Sequence, residues 1–133
     1  MLLVKTKVGK SSIHGVGVIA DEDIPEGTLI YRWDPKVDLV FKWADVQKMT
    51  GKQREVMDAY AMKEGEDIHL DGDNSHFMNH SDDPNMAPFP DNDTWYATRD
   101  IKKGEEIACD YNHFEDALCA KGISKRKVTG AES

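Results

Sequence analysis

The chain has 133 residues, 39% of them hydrophobic and 32% charged, with a formal net charge of -8 at pH 7. That length suits one soluble domain with a modest core. The acidic balance argues against nucleic acid as direct ligand, because neutralising phosphates requires a basic face; it suits a basic partner such as a lysine-rich protein tail. No apolar run approaches the roughly 20 residues of a membrane span. The opening Met1-Leu2-Leu3-Val4 is interrupted by Lys5 and Lys7, too soon for a secretory core. The expected location is the compartment of synthesis, the cytoplasm, or the nucleus in a eukaryotic host. Two cysteines, Cys109 and Cys119, are too few for a disulfide framework or a four-ligand zinc site.

Taken in order, Leu2 to Val8 alternates apolar and polar residues and reads as a first strand. A glycine-flanked turn from Gly9 to Gly15 leads to a second strand, Val16 to Ala20, in which Gly17 lets something approach the backbone closely. Ile24-Pro25-Glu26-Gly27 is a turn, and Thr28 to Trp33 is a β-prone third strand closed by Asp34-Pro35. From about 41 to 64 the period changes. Trp43, Val46, Met49, Val56, Met57 and Tyr60 recur at helical spacing, predicting two short helices broken near Thr50-Gly51. Core packing is the simplest account of that stripe. Asp67 to Leu70, Thr94 to Thr98 and Glu106 to Tyr111 read as further strands. The fold class is α+β, mostly short strands with one helical insertion. The domain is expected to occupy residues 1–115, followed by a tail, 116–133, that carries the basic run 121–127 and is partly disordered.

Two dense blocks organise the chain. His76-Phe77-Met78-Asn79-His80-Ser81-Asp82-Asp83-Pro84-Asn85 mixes polar ligating residues with large apolar ones, a conflict expected where backbone is shaped around a ligand. Gly104-Glu105-Glu106-Ile107-Ala108-Cys109-Asp110-Tyr111 is a turn followed by a strand. With Gly15-Val16-Gly17 upstream, these blocks resemble the signature of SET-domain protein lysine methyltransferases, over roughly residues 5–115. The resemblance implies small curved sheets around a knot-like crossing near the C-terminus. There the segment ending in Asp110-Tyr111 passes close to Asn79-His80-Ser81 and brings Gly15, Asn79 and Tyr111 together.

The resemblance also implies methyl transfer from S-adenosylmethionine to a lysine of a basic, histone-like or other protein. Gly15, Val16, Gly17, Asn79 and His80 correspond to the family's cofactor-binding positions, and Tyr111 to its catalytic tyrosine. Trp33 falls at the Tyr of the family's Tyr-x-Gly element and Pro35 at its Gly, so Trp33 or Tyr31 is a candidate wall of the lysine channel. His76 stands where relatives carry Arg. No cysteine-rich zinc segment follows Tyr111, and Phe114 is the candidate for closing the channel. On strand alternation Cys109 faces the same way as Tyr111. The family commonly has Phe or Tyr there; a smaller cysteine predicts di- or trimethyl product.

Other chemistries fit less well. His80 with Asp82 or Asp83 lacks a third metal ligand. Asp71-x-Asp73-x-Ser75 echoes a calcium loop, but His76 stands at position six instead of glycine and no Glu follows at position twelve. No metal is expected. Asn79-His80-Ser81 and Asn92-Asp93-Thr94 are formal glycosylation sequons that carry little weight without a secretory signal. The alternative class is a SET-like module that binds peptide or cofactor without turnover, for which the changes at Trp33, Pro35 and His76 leave room.

Overall fold

Brief β-branched runs punctuated by Gly, Pro and Asp turns fold into short strands, two helices and two 3-10 turns in the computed structural model, which describes residues 1–113. In chain order these are β1 (Thr6–Lys10), β2 (Val16–Ala20), β3 (Leu29–Arg32), β4 (Leu39–Lys42), α1 (Trp43–Gln47), α2 (Gly51–Tyr60), β5 (Met62–Glu64) and β6 (Asp67–Leu70). A 3-10 turn at Asn74–Phe77 then precedes β7 (Asn79–His80), β8 (Met86–Pro88), β9 (Thr94–Ala97), β10 (Glu106–Cys109) and a last 3-10 turn, Tyr111–His113. The architecture is the expected α+β one, dominated by short strands.

Three small sheets result. The first runs β1-β2-β10-β7, the second β3-β9-β8 and the third β4-β6-β5. In the first, β10 is antiparallel to β2 and parallel to β7, with Ala108 opposite Asn79 and Cys109 opposite His80. The loop after β7 stays on β10: Ser81 N–H donates to Cys109 O, Asn85 N–H to Ala108 O, and the Asn85 amide exchanges bonds with Glu106 O and Ala108 N–H. This is how the two sequence blocks meet. The segment ending at Tyr111 lies between β2 and β7, with residues 81–85 bonded along it.

The main core gathers Val18, Ala20, Ile30, Trp95 and Ile107 from the first two sheets, with Ile24 and Ile101 from an isolated bridge beside them. A second cluster, Trp43, Val46, Met57, Ala61 and Ile68, lies under the helices. There Arg54 lies 5.4 Å from the centre of the Trp43 ring and pairs with Asp58 at 2.9 Å. Its alkyl stem thus covers the apolar cluster. Among the described residues no helix is long and apolar enough to cross a membrane.

Several boundaries differ from the sequence expectation. The first strand is Thr6–Lys10 because its register is fixed by β2, with Thr6 opposite Ala20 and Lys10 opposite Val16. Leu2 instead bridges Tyr31, and its N–H donates to Asp73. The helices break at Gly51, whose φ of 59° favours glycine. Phe41, however, belongs to β4, and β5 lies inside the interval expected to be helical. Strand β8 ends in Pro88, which suits an edge strand and hides it from a propensity reading. Finally, β10 stops at Cys109, and the Asp110 side chain accepts from Asn112 N–H at 2.9 Å, turning the chain at Tyr111.

One close approach anchors the entry to the second block. A Cβ on Gly72 would lie 1.8 Å from Val37 O. The buried Asp38 carboxylate holds this crossing, accepting from Asp34 N–H at 2.9 Å and Gly72 N–H at 3.0 Å. Because the obstruction is backbone, Gly72→Ala is expected to destabilise the domain by about 2 kcal/mol or more, read as a lowered denaturant midpoint. An unchanged midpoint would show that the 34–38 turn yields freely.

Candidate active site

Tyr111 begins where β10 ends and joins two groups of residues. Its side chain is 1% exposed, and its hydroxyl donates a short hydrogen bond to Met78 O. Its N–H donates to His80 Nδ1 at 3.0 Å. An acceptor role at Nδ1 places the ring hydrogen on Nε2, which faces the Asp82 carboxylate at 2.9 Å. The His80 and Tyr111 rings lie edge to face, 5.3 Å apart.

On one side of Tyr111, the Asn79 side chain gathers the chain's glycine turn. Its Nδ2 lies 3.0 Å from Val16 O, 3.1 Å from His14 O, 3.1 Å from Ser11 Oγ and 3.0 Å from Glu106 Oε2. Ser11 Oγ donates to both Glu106 oxygens and accepts from Ile13 and His14 N–H. The turn from Ser11 to Gly17 is thereby fixed to β7 and β10. Gly17 has its bare backbone for this reason: a Cβ there would lie 2.4 Å from Glu106 Oε2 and 3.1 Å from Asn79 Nδ2. The groups that approach it are the chain's own. Gly15, at φ 54°, has open space beside it, and Val16 is exposed. Gly15, Val16, Gly17, Asn79, His80 and Tyr111 are therefore neighbours.

On the other side, Tyr111, Cys109, Tyr31 and Trp33 line one cavity of about 80 Å³, with Tyr60 and Met78 completing much of its wall. Among the described residues its ionisable lining besides tyrosine and cysteine is Glu64, His69, Asp71, His76 and Asp93, with no Lys or Arg. The Tyr31 hydroxyl donates to Asp71 Oδ1 at 2.6 Å. Burial, followed by the Asp71 charge, pushes the Tyr31 hydroxyl far above its ordinary range. Burial also pushes the Asp71 carboxyl up, against the lowering effect of the Tyr31 hydrogen bond. Tyr111 is raised well above 10, first by burial and then by charges at Cys109, Asp71 and Glu106. It is a neutral hydroxyl at any working pH and not a tyrosinate base.

Cys109 and Tyr111 do share the cavity, although not through strand alternation, since the 3-10 turn carries Tyr111 there. Phe114 and Cys119 lie outside the described residues. Sequence reasoning passed over Ser11, Tyr60 and Asp71 as site residues. Tyr60 belonged to a stripe read as core, Asp71 was weighed only as a calcium ligand, and Ser11 carried no signal. The departure at His76 has a structural role: its Nδ1 lies 3.0 Å from Asp71 O and its ring contacts Tyr60 and Phe77.

The fold and these blocks define a SET domain: the SET domain family model matches residues 15–112, and the chain belongs to that family. It is 32% identical over 125 residues to the histone-lysine N-methyltransferase, H3 lysine-36 specific, of Candida albicans, covering 81% of this chain and 14% of that protein. It is 29% identical over 145 residues to the histone-lysine N-methyltransferase EZH2 of Chaetomium thermophilum, covering 95% of this chain and 9% of that protein. The chain thus spans only a small part of the curated relatives it matches. Among solved structures, it superposes on Chaetomium thermophilum polycomb repressive complex 2 with a TM-score of 0.61 at 26% identity, covering 81% of this chain and 15% of that one. The Neurospora SET domain protein DIM-5, a histone lysine methyltransferase, shares the fold with a TM-score of 0.58 at 22% identity, over 83% and 53% of the two chains.

The Asn79 contacts make a stability prediction. Asn79→Asp replaces the donor by an anion facing Glu106 and two carbonyls. A loss of about 3 kcal/mol is expected, measured by denaturant unfolding near pH 7. A wild-type midpoint would mean that Glu106 and Ser11 hold the turn without the amide.

Proposed function

We propose that this domain is a protein-lysine N-methyltransferase that transfers methyl groups from S-adenosylmethionine to a lysine of a basic protein, histone or histone-like. The carrying observation is Tyr111, whose amide contacts the Asn79–His80 cluster while its hydroxyl lies at the wall of an aromatic cavity lacking Lys and Arg. The names of the relatives support the same reaction.

The donor, when bound, supplies a methyl group made electrophilic by its sulfonium. The residues that would hold it are Gly15, Val16, Gly17, Asn79 and His80. The open φ-positive turn at Gly15, fixed in place by Asn79, fits a ligand resting against backbone. Tyr31, Trp33, Cys109 and Tyr111 would enclose the lysine stem, exclude water and hold the amine in line, which are proximity and desolvation effects. Because the Tyr111 hydrogen is committed to Met78 O, the hydroxyl oxygen acts toward the amine as an acceptor. Accepting one N–H aims the nitrogen lone pair along the cavity axis. The amine, with a solution pKa near ~10.4, must arrive or become neutral, so turnover rises from pH 7 towards pH 9.

The direct test is tritiated S-adenosylmethionine with core histones and with a cell extract, followed by identification of labelled proteins. Cofactor binding without label on any protein would establish the non-catalytic module instead. Tyr111→Phe is expected to lower turnover roughly 10²- to 10⁴-fold. The fold should survive with a loss of about 1–3 kcal/mol, because Met78 O loses its donor. Wild-type turnover in that variant would remove Tyr111 from the chemistry. Cys109→Tyr should shift the product towards monomethyl-lysine, whereas the native domain gives di- or trimethyl-lysine; mass spectrometry at long reaction times reads both. An unchanged product ratio would separate Cys109 from product control.

A further inference from the structure

Asp71 stands at the end of β6, pinned by the Gly72 crossing and by the Tyr31 hydroxyl. It is a partly buried carboxylate on a cavity wall, and among the described residues it forms no ion pair. Its surroundings worsen that position. Asp38 lies close enough to oppose its ionisation, and the nearest positive charge, the Met1 ammonium, is bonded to Asp38 at 2.9 Å. Buried charges are ordinarily paired. Among the described residues the only positive charge acting on it is that Met1 ammonium, already bonded to Asp38, and the described lining of the aromatic cavity it borders has no Lys or Arg. A cation enters such a space favourably.

We infer that Asp71 receives the ammonium group of the incoming lysine and takes its proton before methyl transfer. The inference rests on the methyltransferase reading and deepens it. In the step, an N–H bond of the ammonium breaks and its proton joins an Asp71 carboxylate oxygen. The electron pair left on nitrogen forms the N–C bond to the methyl group. The S–C bond breaks, and its electrons leave on sulfur, converting sulfonium to thioether. The product leaves as a methylated ammonium, and Asp71 returns its proton to water at the cavity mouth.

Other groups are less suited. Glu64 and His69 face each other at 3.8 Å with 40% and 30% side-chain exposure, and Asp93 is exposed, which places them at the rim. Tyr111 is too weak an acid to cycle as a base, for the reasons given above. Asp71 and Tyr111 line the same cavity, and the Asp71 charge raises that hydroxyl. Burial narrows the gap from the acid side by raising Asp71, while an apolar cavity lowers the amine from the other. The groups facing Asp71 are Tyr31 from β3, Asp38 from the 34–38 turn, the Met1 ammonium, and Ser75, with Asp73 close by. Of these, Tyr31, the Met1 ammonium and Ser75 favour the anion, and Asp38 opposes it.

The first test needs no cofactor. n-Butylammonium chloride, a mimic of the lysine tip, is titrated at pH 7 and followed by NMR shifts and tryptophan fluorescence, with n-butanol as the uncharged control. Wild type is expected to bind the cation saturably, and Asp71→Asn roughly 10-fold or more weaker, while butanol binds both alike. The second test is the pH profile of methyl transfer to core histones. Asp71→Asn should lose roughly 10²- to 10³-fold at pH 7 and recover towards wild type by about pH 10.4, where free lysine is half neutral. Tyr31→Phe keeps the carboxylate but removes a bond that lowers its pKa, so its acid limb should move to higher pH. Equal butylammonium affinity in Asp71→Asn, or a profile merely scaled down at every pH, overturns the assignment. Absence of label transfer by wild type overturns the methyltransferase reading instead, whatever butylammonium does.

Discussion

One side-chain amide sets most of the geometry. Asn79 Nδ2 has two hydrogens and lies within 3.0–3.1 Å of four acceptors contributed by the 11–16 turn and by β10. No acceptor gets a hydrogen to itself, so the amide holds all of them at one distance and none can drift without losing its share. From that follow the bare backbone at Gly17, the inward Glu106 carboxylate and the parallel pairing of β7 with β10. The pairing in turn puts Tyr111 beside His80. A tyrosine just past the end of a four-residue strand would otherwise be free to rotate away.

The same arrangement restricts what Tyr111 can do. Burial and the neighbouring acidic groups Cys109, Asp71 and Glu106 keep it protonated, and Met78 O takes its hydrogen. It can orient an amine but cannot remove a proton from one. In the proposed methyl transfer, proton removal has to be served elsewhere, by water at the mouth or by a carboxylate on the wall. Asp71 is the wall carboxylate whose ionised form is supported by a hydroxyl and lacks an ion pair. Burial, neighbouring charge and hydrogen bonding thus pull the two acids, Tyr111 and Asp71, to different tasks.

Legibility in the sequence followed the range of the interactions. The helix break at Gly51, the strands around Val18 and Trp95, and the two blocks around Asn79 and Cys109 are local signals, and the structure has them at those places. The neighbourhood of Gly15, Asn79 and Tyr111 was legible through the resemblance alone, since it joins residues from 32 to 96 apart. The third sheet was obscured because β4 and β5 are short and abut helices whose period dominates that window. Tyr31 and Asp71 are 40 residues apart, and each looked ordinary by itself: a strand tyrosine and a turn aspartate. Only tertiary structure makes them a pair. Strand alternation placed Cys109 beside Tyr111 for the wrong reason, because the capped turn at Asp110 carries Tyr111 to the wall that Cys109 also lines.

The net charge of -8 gains a specific meaning at this cavity. Diffuse acidity attracts a basic tail from solution, but salt screens it beyond roughly 8–10 Å at physiological ionic strength. A carboxylate inside a low-dielectric wall is screened far less. Such a group also stabilises the ammonium form, which is the unreactive one, so attraction by itself would slow methyl transfer. The conflict is resolved if the attracting carboxylate is also a base whose affinity for a proton has been raised by burial. The Tyr31 hydroxyl then tunes the balance: its single bond favours the ionised carboxylate, and burial outweighs it. A carboxylate bound more tightly, by Arg for example, would attract less and accept no proton. Among the described residues this cavity lining has no Lys or Arg, which leaves Asp71 between those extremes.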